Sequence, residues 1–435
     1  MNSEEKKQVV GADGLRSFAC LWVFGHHIAN ELDLAPDWLG GFFGTHGAQG
    51  VGVFFVLSGF LLSLPFWNSL VSDREFPDMR NYAVKRLARI VPGYFVCLLV
   101  MFTCFHSVQA EDLFRLGSAL TFTNSFHWKT FFPVRVNAAC WSIGVEMIFY
   151  LLLPLWAAGL FAMRRHLQRC DCKKPQMWWW RAYCLVAMGL IVAFQLVVIR
   201  FIQMPTGGLA VDVADELQRG ALDWLPARNP IGLFAHFLVG CLAASFLVQR
   251  TGNDLPQSEA VTGSARWNRF DWLSVGCIVA IFVELNSLTW LIGTEGAFAT
   301  MMGNVWAHRS VWFISYEWPL GPMLVAGLLI SLCRSRHIGV WFDNALMRQT
   351  ATLSFGIYLW HMPIIAVMRQ LCEIDLPTST TTIVLFSAFT LSLSVAAAWL
   401  SYYWIEAPVM RWSRCLLGPS IRPATRPDAP LARTA

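Results

Sequence analysis

A chain of 435 residues that is 56% hydrophobic and only 14% charged, with 21 Trp, is too apolar for a string of soluble domains. Its net charge of +5 is small, and its basic residues cluster between apolar runs, so a nucleic-acid-binding role is excluded. The twelve Cys fall mostly inside apolar runs, with no CxxC pair and no Cys/His ligand spacing, so no metal site is expected.

Apolar stretches recur at about 15–32, 49–67, 91–108, 142–163, 183–202, 231–249, 271–292, 318–333, 351–371 and 382–405. A helix of about 20 residues crosses ~30 Å of hydrocarbon, and all but the short eighth stretch approach that length. The expected fold is an all-α integral membrane protein, a bundle of about ten transmembrane helices over residues 1–410. Residues 411–435, rich in Pro, Ala and Arg, are expected to be a disordered cytoplasmic tail. Most of the 33 Lys and Arg fall on the side of the N-terminus, above all in 74–89 and 164–181. The excess of basic residues on the cytoplasmic side then predicts cytoplasmic N- and C-termini. The polar start MNSEEKKQ, followed by a stretch holding Arg16, His26 and His27, does not read as a cleavable signal peptide. The longer outer loops are expected at 109–141, 203–230 and 293–317.

The first stretch, GLRSFACLWVFGHHIAN, holds Arg16 and His27. Charged and titratable residues inside a membrane are costly and mark functional sites. Eleven residues at ~100° each overshoot three turns by about 20°, so the two share a face roughly 16 Å apart along the axis. His26 falls about 80° away and is the weaker candidate. Arg16 faces cytoplasmic anions, and a neutral His27 imidazole can serve as general base near neutral pH. On spacing alone, His27 is equally a base or a histidine bonded to a neighbouring helix.

In the second stretch, GVGVFFVLSGFLLS, the glycines predict close helix packing, with Ser58 near mid-span. NYAVKRLARIVPGY leads into the third, with Arg86 and Arg89 on one face at the cytoplasmic surface. Paired guanidiniums suit phosphate, although positive-inside anchoring explains them as well. Pro92 suits the first turn of the following helix. CWSIGVEMIFY opens the fourth. Glu146, one turn after Ser142, is expected at the depth of His27 and able to pair with it, or else to tie two helices together. In LSFGIYLWHMPI of the ninth, Ser354, Tyr358 and His361 form a polar stripe, which lines a pathway or joins helices. Glu406 in WIEAP closes the tenth near Arg16 or Arg89.

Taken in order, GADGLRSFACLWVFGHH, GVGVFFVLSGFLLS, KRLARIVPGY, WSIGVEMIFYLLLP, SFGIYLWHMP and YYWIEAP resemble the acyltransferase 3 family of membrane-bound O-acyltransferases of O-antigen and exopolysaccharide. The resemblance covers about residues 10–410. It implies ten spans and a signature of Arg or Lys, ten residues, then His, which Arg16 and His27 match. It also implies functional arginines at Arg86 and Arg89, a Trp-Ser-x-x-x-Glu element at Trp141, Ser142 and Glu146, and a His before Pro at His361. GLRSFAC departs slightly from the more usual GLRGLAA. Some members carry a fused extracytoplasmic hydrolase-like domain, for which these 435 residues leave no room.

The resemblance implies transfer of an acyl group, acetyl by default, from cytoplasmic acyl-CoA as co-substrate to a hydroxyl of a glycan or glycoside, in a bacterial inner membrane. Arg16, Arg86 and Arg89 are the expected acyl-CoA-binding residues, His27 the base and Glu146 its orienting acid. Tyr358, His361, Ser142 and Trp141 are expected to line the pathway or stabilise the oxyanion. A covalent acyl-enzyme stays open. A polytopic transporter of an anion or glycolipid, using the same buried charges, is the alternative. A haem protein with two of His26, His27 and His361 as ligands is a third reading.

Overall fold

The computed structural model describes residues 9–34, 43–44, 46–105, 109–127, 129–131, 137–170, 176–203, 230–248, 266–293, 320–372 and 379–417. A helix stands at each of the ten apolar stretches. These are α1 (Ala12–Glu31), α2 (Gly50–Val71), α3 (Met79–Phe105), α5 (Trp141–Arg169), α6 (Gln176–Gln203), α7 (Pro230–Ala244), α8 (Arg269–Gly293), α9 (Leu320–Leu332), α11 (Ala345–Cys372) and α12 (Thr380–Ser401). Short helices α4 (Ala110–Leu120) and α10 (Ile338–Phe342) lie between them, and a π-helical turn, Tyr402–Glu406, joins α12 to α13 (Ala407–Leu417). Six helices among the described residues are long and apolar enough to cross a membrane, while α7 and α9 are apolar but shorter. The expectation of about ten crossings is met on this measure by six.

Two boundaries differ from those read in the sequence. Pro92 lies inside α3, because the amphipathic NYAVKRLAR segment continues the same helix. Residues 411–417, expected in the tail, belong to the last helix among the described residues, with Arg411 and Arg414 on it. Residues 418–435 of the expected tail, and nearly all of the loops expected at 203–230 and 293–317, lie outside the described residues.

The outside of the bundle is apolar. Leu151 and Leu155 on α5, Val186 and Leu190 on α6, and Val384, Leu385 and Phe389 on α12 are all exposed. Water does not tolerate so large an unbroken apolar surface, and hydrocarbon does. The chain is a multi-pass membrane protein.

Helix α2 is the axis of the bundle. Of its apolar window 78% is buried, against 17% for α6 and 22% for α12. It packs against α1, α5, α7 and α9. Its tightest neighbour is α7, and two glycines explain why. A Cβ on Gly59 would strike the Phe237 carbonyl, and one on Gly240 would strike the Val56 carbonyl. Bare backbone therefore faces bare backbone, as small residues permit in membranes. The Trp67 indole crosses the same seam to donate to the Cys241 carbonyl at 2.8 Å.

Helix α11 lies between α1 and α12. Pro363 interrupts its ladder and offers no N–H to the Leu359 carbonyl four residues earlier. Two neighbours replace that bond. The Asn137 side-chain amide donates to the Leu359 carbonyl at 2.7 Å, and the Cys97 thiol approaches it at 3.5 Å.

Gly240→Leu is expected to force α7 off α2 and to lower thermal stability in detergent by an overpacking cost of about 1–3 kcal/mol. Asn137→Ala is expected to cost about 1–3 kcal/mol by stripping the Leu359 carbonyl of its main donor. Thermal unfolding of the purified variants, followed by tryptophan fluorescence, measures both.

Candidate active site

A cavity of about 140 Å³ lies where α1, α2, α3, α5 and α11 converge. Arg16 enters it from α1, and Arg86 and Arg89 enter from α3. Their spacing of three puts the α3 pair on one helix face. Ser58 comes from α2, Ser142, Glu146 and Tyr150 from α5, and Ser354 and Tyr358 from α11. Phe54, Phe55 and Phe355 supply apolar wall.

The electrostatics are unbalanced. Three guanidiniums and one carboxylate line the cavity. Arg16 is close enough to Arg89 for repulsion and to Glu146 for attraction. Among the described residues no ion pair engages Arg16, Arg86 or Arg89, and the Arg86 Nε is buried without a hydrogen-bond acceptor. Glu406 adds a second carboxylate behind Arg89. It is 1% exposed, accepts from Ser401 at 3.2 Å and feels the Arg89 charge. Of the two arginines expected near Glu406, Arg89 is the one whose charge it feels, without an ion pair.

Glu146 sits elsewhere than expected. Its Oε1 accepts from Ser58 at 2.8 Å and from the Tyr150 hydroxyl. Among the described residues nothing joins it to His27. The start of α5 is covered by the preceding segment: Phe131 stacks on Trp141, and Asn124 and Ser125 press against Gly144. Glu146, one turn into the helix, faces the cavity that the arginines also line.

Away from the arginines the cavity meets a hydroxyl pair. Ser142 Oγ and Tyr358 OH are 2.8 Å apart, and both reach the Ala139 carbonyl, at 3.2 and 3.0 Å. Trp141 does not line the cavity. It packs edge-on against Phe55 and buttresses that wall.

His27 lies beyond Tyr358. Its ring centroid is 5.1 Å from that of His361 and 5.0 Å from that of His26, and His361 is 5.8 Å from Tyr358. His26 turns away, with its ring nitrogens near the Phe43 carbonyl and the Asn30 amide, at 3.3 and 3.1 Å. That agrees with its angle on the helix. His361 is 1% exposed, and its Nδ1 lies 2.8 Å from the Tyr358 carbonyl and 3.1 Å from the Ile357 carbonyl.

Two polar contacts went unread in the sequence. Ser58 was expected only to serve close packing, and Tyr150 was not singled out. The signal for Tyr150 was present, four residues after Glu146 on the same face. Nothing local foretold Ser58, whose partner is 88 residues away.

Residues 9–402 match the acyltransferase domain family. The chain is 25% identical over 429 residues to a putative peptidoglycan O-acetyltransferase, YrhL, of Bacillus subtilis (strain 168), a match that covers 94% of this chain and 56% of the relative. It is 22% identical over 434 residues to the peptidoglycan O-acetyltransferase OatA of Listeria monocytogenes, covering 93% of this chain and 56% of that one. It is 33% identical over 153 residues to the acyltransferase MdmB of Streptomyces mycarofaciens, covering 33% of this chain and 38% of the relative. The chain thus spans about half the length of the longer-matched relatives, and no solved structure matches it. With the family match running across nearly the whole bundle, the chain belongs to the acyltransferase domain family.

Proposed function

We propose that this protein is a membrane acyltransferase. It moves an acyl group, acetyl by default, from cytoplasmic acyl-CoA to a hydroxyl of a glycan. The observation that carries the reading is the excess of positive charge in the cavity. Three arginines share it with one lining carboxylate, and buried charge without a counter-ion is costly. A polyanion that binds there repays the cost, and guanidinium forks suit phosphate. The phosphates dock on Arg16, Arg86 and Arg89, and the acyl-bearing arm extends through the cavity towards Ser142 and Tyr358.

The reaction follows from that docking. The arm runs past Ser58 to the Ser142–Tyr358 hydroxyls, and the thioester carbonyl comes to rest between them and His27. His27 takes the proton of the acceptor hydroxyl. The oxygen attacks the carbonyl, and a hydroxyl of the Tyr358–Ser142 pair turns from the Ala139 carbonyl that both reach to stabilise the oxyanion. The carbon–sulfur bond breaks, and the leaving thiolate takes the proton back from His27. The products are an acyl ester and free CoA. Glu146, held by Ser58 and Tyr150, offsets part of the Arg16 charge rather than orienting His27.

The names of the two long relatives favour peptidoglycan as the acceptor glycan. The reading places the bundle in the bacterial inner membrane with about ten crossings and both termini cytoplasmic. Residues 1–410 form the catalytic domain, and 411–435 lie in the cytoplasm.

Purified protein supplied with labelled acetyl-CoA and peptidoglycan fragments is expected to label the fragments. Arg89→Ala is expected to weaken CoA binding, measured by calorimetry, by roughly 10- to 100-fold, the loss of one charge-assisted contact of about 1.5–3 kcal/mol. His27→Ala is expected to keep CoA affinity and lose about 10²–10⁴ in kcat. Full transfer by His27→Ala, or CoA binding without any transfer by the wild type, refutes the reading. The second result is what an anion carrier would give.

A further inference from the structure

The Nδ1 of His361 faces two backbone carbonyls, those of Tyr358 at 2.8 Å and Ile357 at 3.1 Å. A carbonyl only accepts, so this nitrogen carries the proton. In the neutral ring the other nitrogen, Nε2, is then a bare lone pair. It is buried and has no hydrogen-bond partner. A lone pair cannot stabilise an oxyanion, so the donor role expected for His361 does not suit this ring. It can only receive a hydrogen bond.

The surroundings leave few donors. Phe24 offers an apolar ring at 6.3 Å. The Tyr358 hydroxyl is already within bonding distance of Ser142 and Ala139. Among the described residues the remaining close ring is His27, at 5.1 Å and tilted by 44°. The seat of His361 is also rigid. Two residues before it, the carbonyl freed by Pro363 is held by Asn137 and Cys97. Glu146, the acid that would otherwise orient His27, is engaged by Ser58 and Tyr150.

We infer that His361 is the positioning residue for His27: its Nε2 accepts the N–H of His27 and leaves the other His27 nitrogen bare as the base. The inference rests on the reading of His27 as base. It deepens that reading by replacing the expected carboxylate orienter with a second imidazole, set by backbone carbonyls. Such bonds are commonly long without substrate and tighten in the reacting complex. When His27 takes the acceptor's proton, His361 stabilises the imidazolium without taking up a proton itself, and no other group is needed to complete the step.

A double-mutant cycle and a spectroscopic measurement test it. His361→Leu is expected to lower kcat on the order of 10²-fold with CoA affinity unchanged, the usual cost of a misplaced reacting group. His361→Gln, which keeps an acceptor oxygen near the Nε2 position, is expected to recover part of that loss. In a His27→Ala background, His361→Leu should cost nothing more, because a residue that acts through another has no effect once the other is gone. A further loss of equal size in that background overturns the inference while leaving His27 as base. If His27→Ala itself retains full transfer, the base reading fails first. Nitrogen-15 NMR of histidine-labelled wild-type protein reads the tautomer. The His361 resonances are identified by their loss in His361→Gln, whose retained activity shows that it folds. An unprotonated Nε2 is expected, and a protonated Nε2 refutes the inference.

Discussion

Three guanidiniums held inside an apolar bundle dominate the energetics of this protein. Arg16, Arg86 and Arg89 share a cavity with one carboxylate, Glu146, and have a second, Glu406, behind them. Neither forms an ion pair with them among the described residues. A bundle in lipid cannot hydrate such charges, so it keeps them facing inward, onto a cavity. Much of the remaining architecture can be read as what that arrangement requires. The hydroxyls of Ser58 and Tyr150 anchor the one lining carboxylate, and the tight α2–α7 seam fixes the helix that presents Ser58.

Helix α2 is central for a related reason. Hydrocarbon outside the bundle gives helices no hydrophobic reason to associate, so close packing and interhelical hydrogen bonds must hold them. The reciprocal contacts of Gly59 and Gly240 provide the packing, and the Trp67 indole on Cys241 provides a bond. One face of α2 then meets α7, and another forms a wall of the cavity through Phe54, Phe55 and Ser58. Structure and site share one helix, so a change that loosens the seam also moves the site.

The polar contacts around Tyr358 follow from one interruption. Pro363 frees a carbonyl on α11, and the segment before α5 supplies Asn137 to satisfy it. The same segment brings Ala139 to the Ser142–Tyr358 pair. A broken helical bond thus ties α11 to the entry of α5. The histidines lie one turn further along α11 and on the facing side of α1.

What is local was legible in the sequence. The apolar stretches gave the helices, since hydropathy over some twenty residues is a property of the chain alone. The angular step from Arg16 to His27 and the divergence of His26 followed from the pitch of one helix. The order of motifs pointed to the family. What depends on contact between distant segments was decided by the fold. Glu146 joins the arginines because α5 packs beside α2 at the cavity that α1 and α3 also line. Ser58 becomes its partner because α2 and α5 cross there. The Nε2 of His361 is bare because its rotamer hands Nδ1 to two carbonyls. Periodicity sets which face a side chain shares, but only the packing of one helix on another sets its depth and its partner.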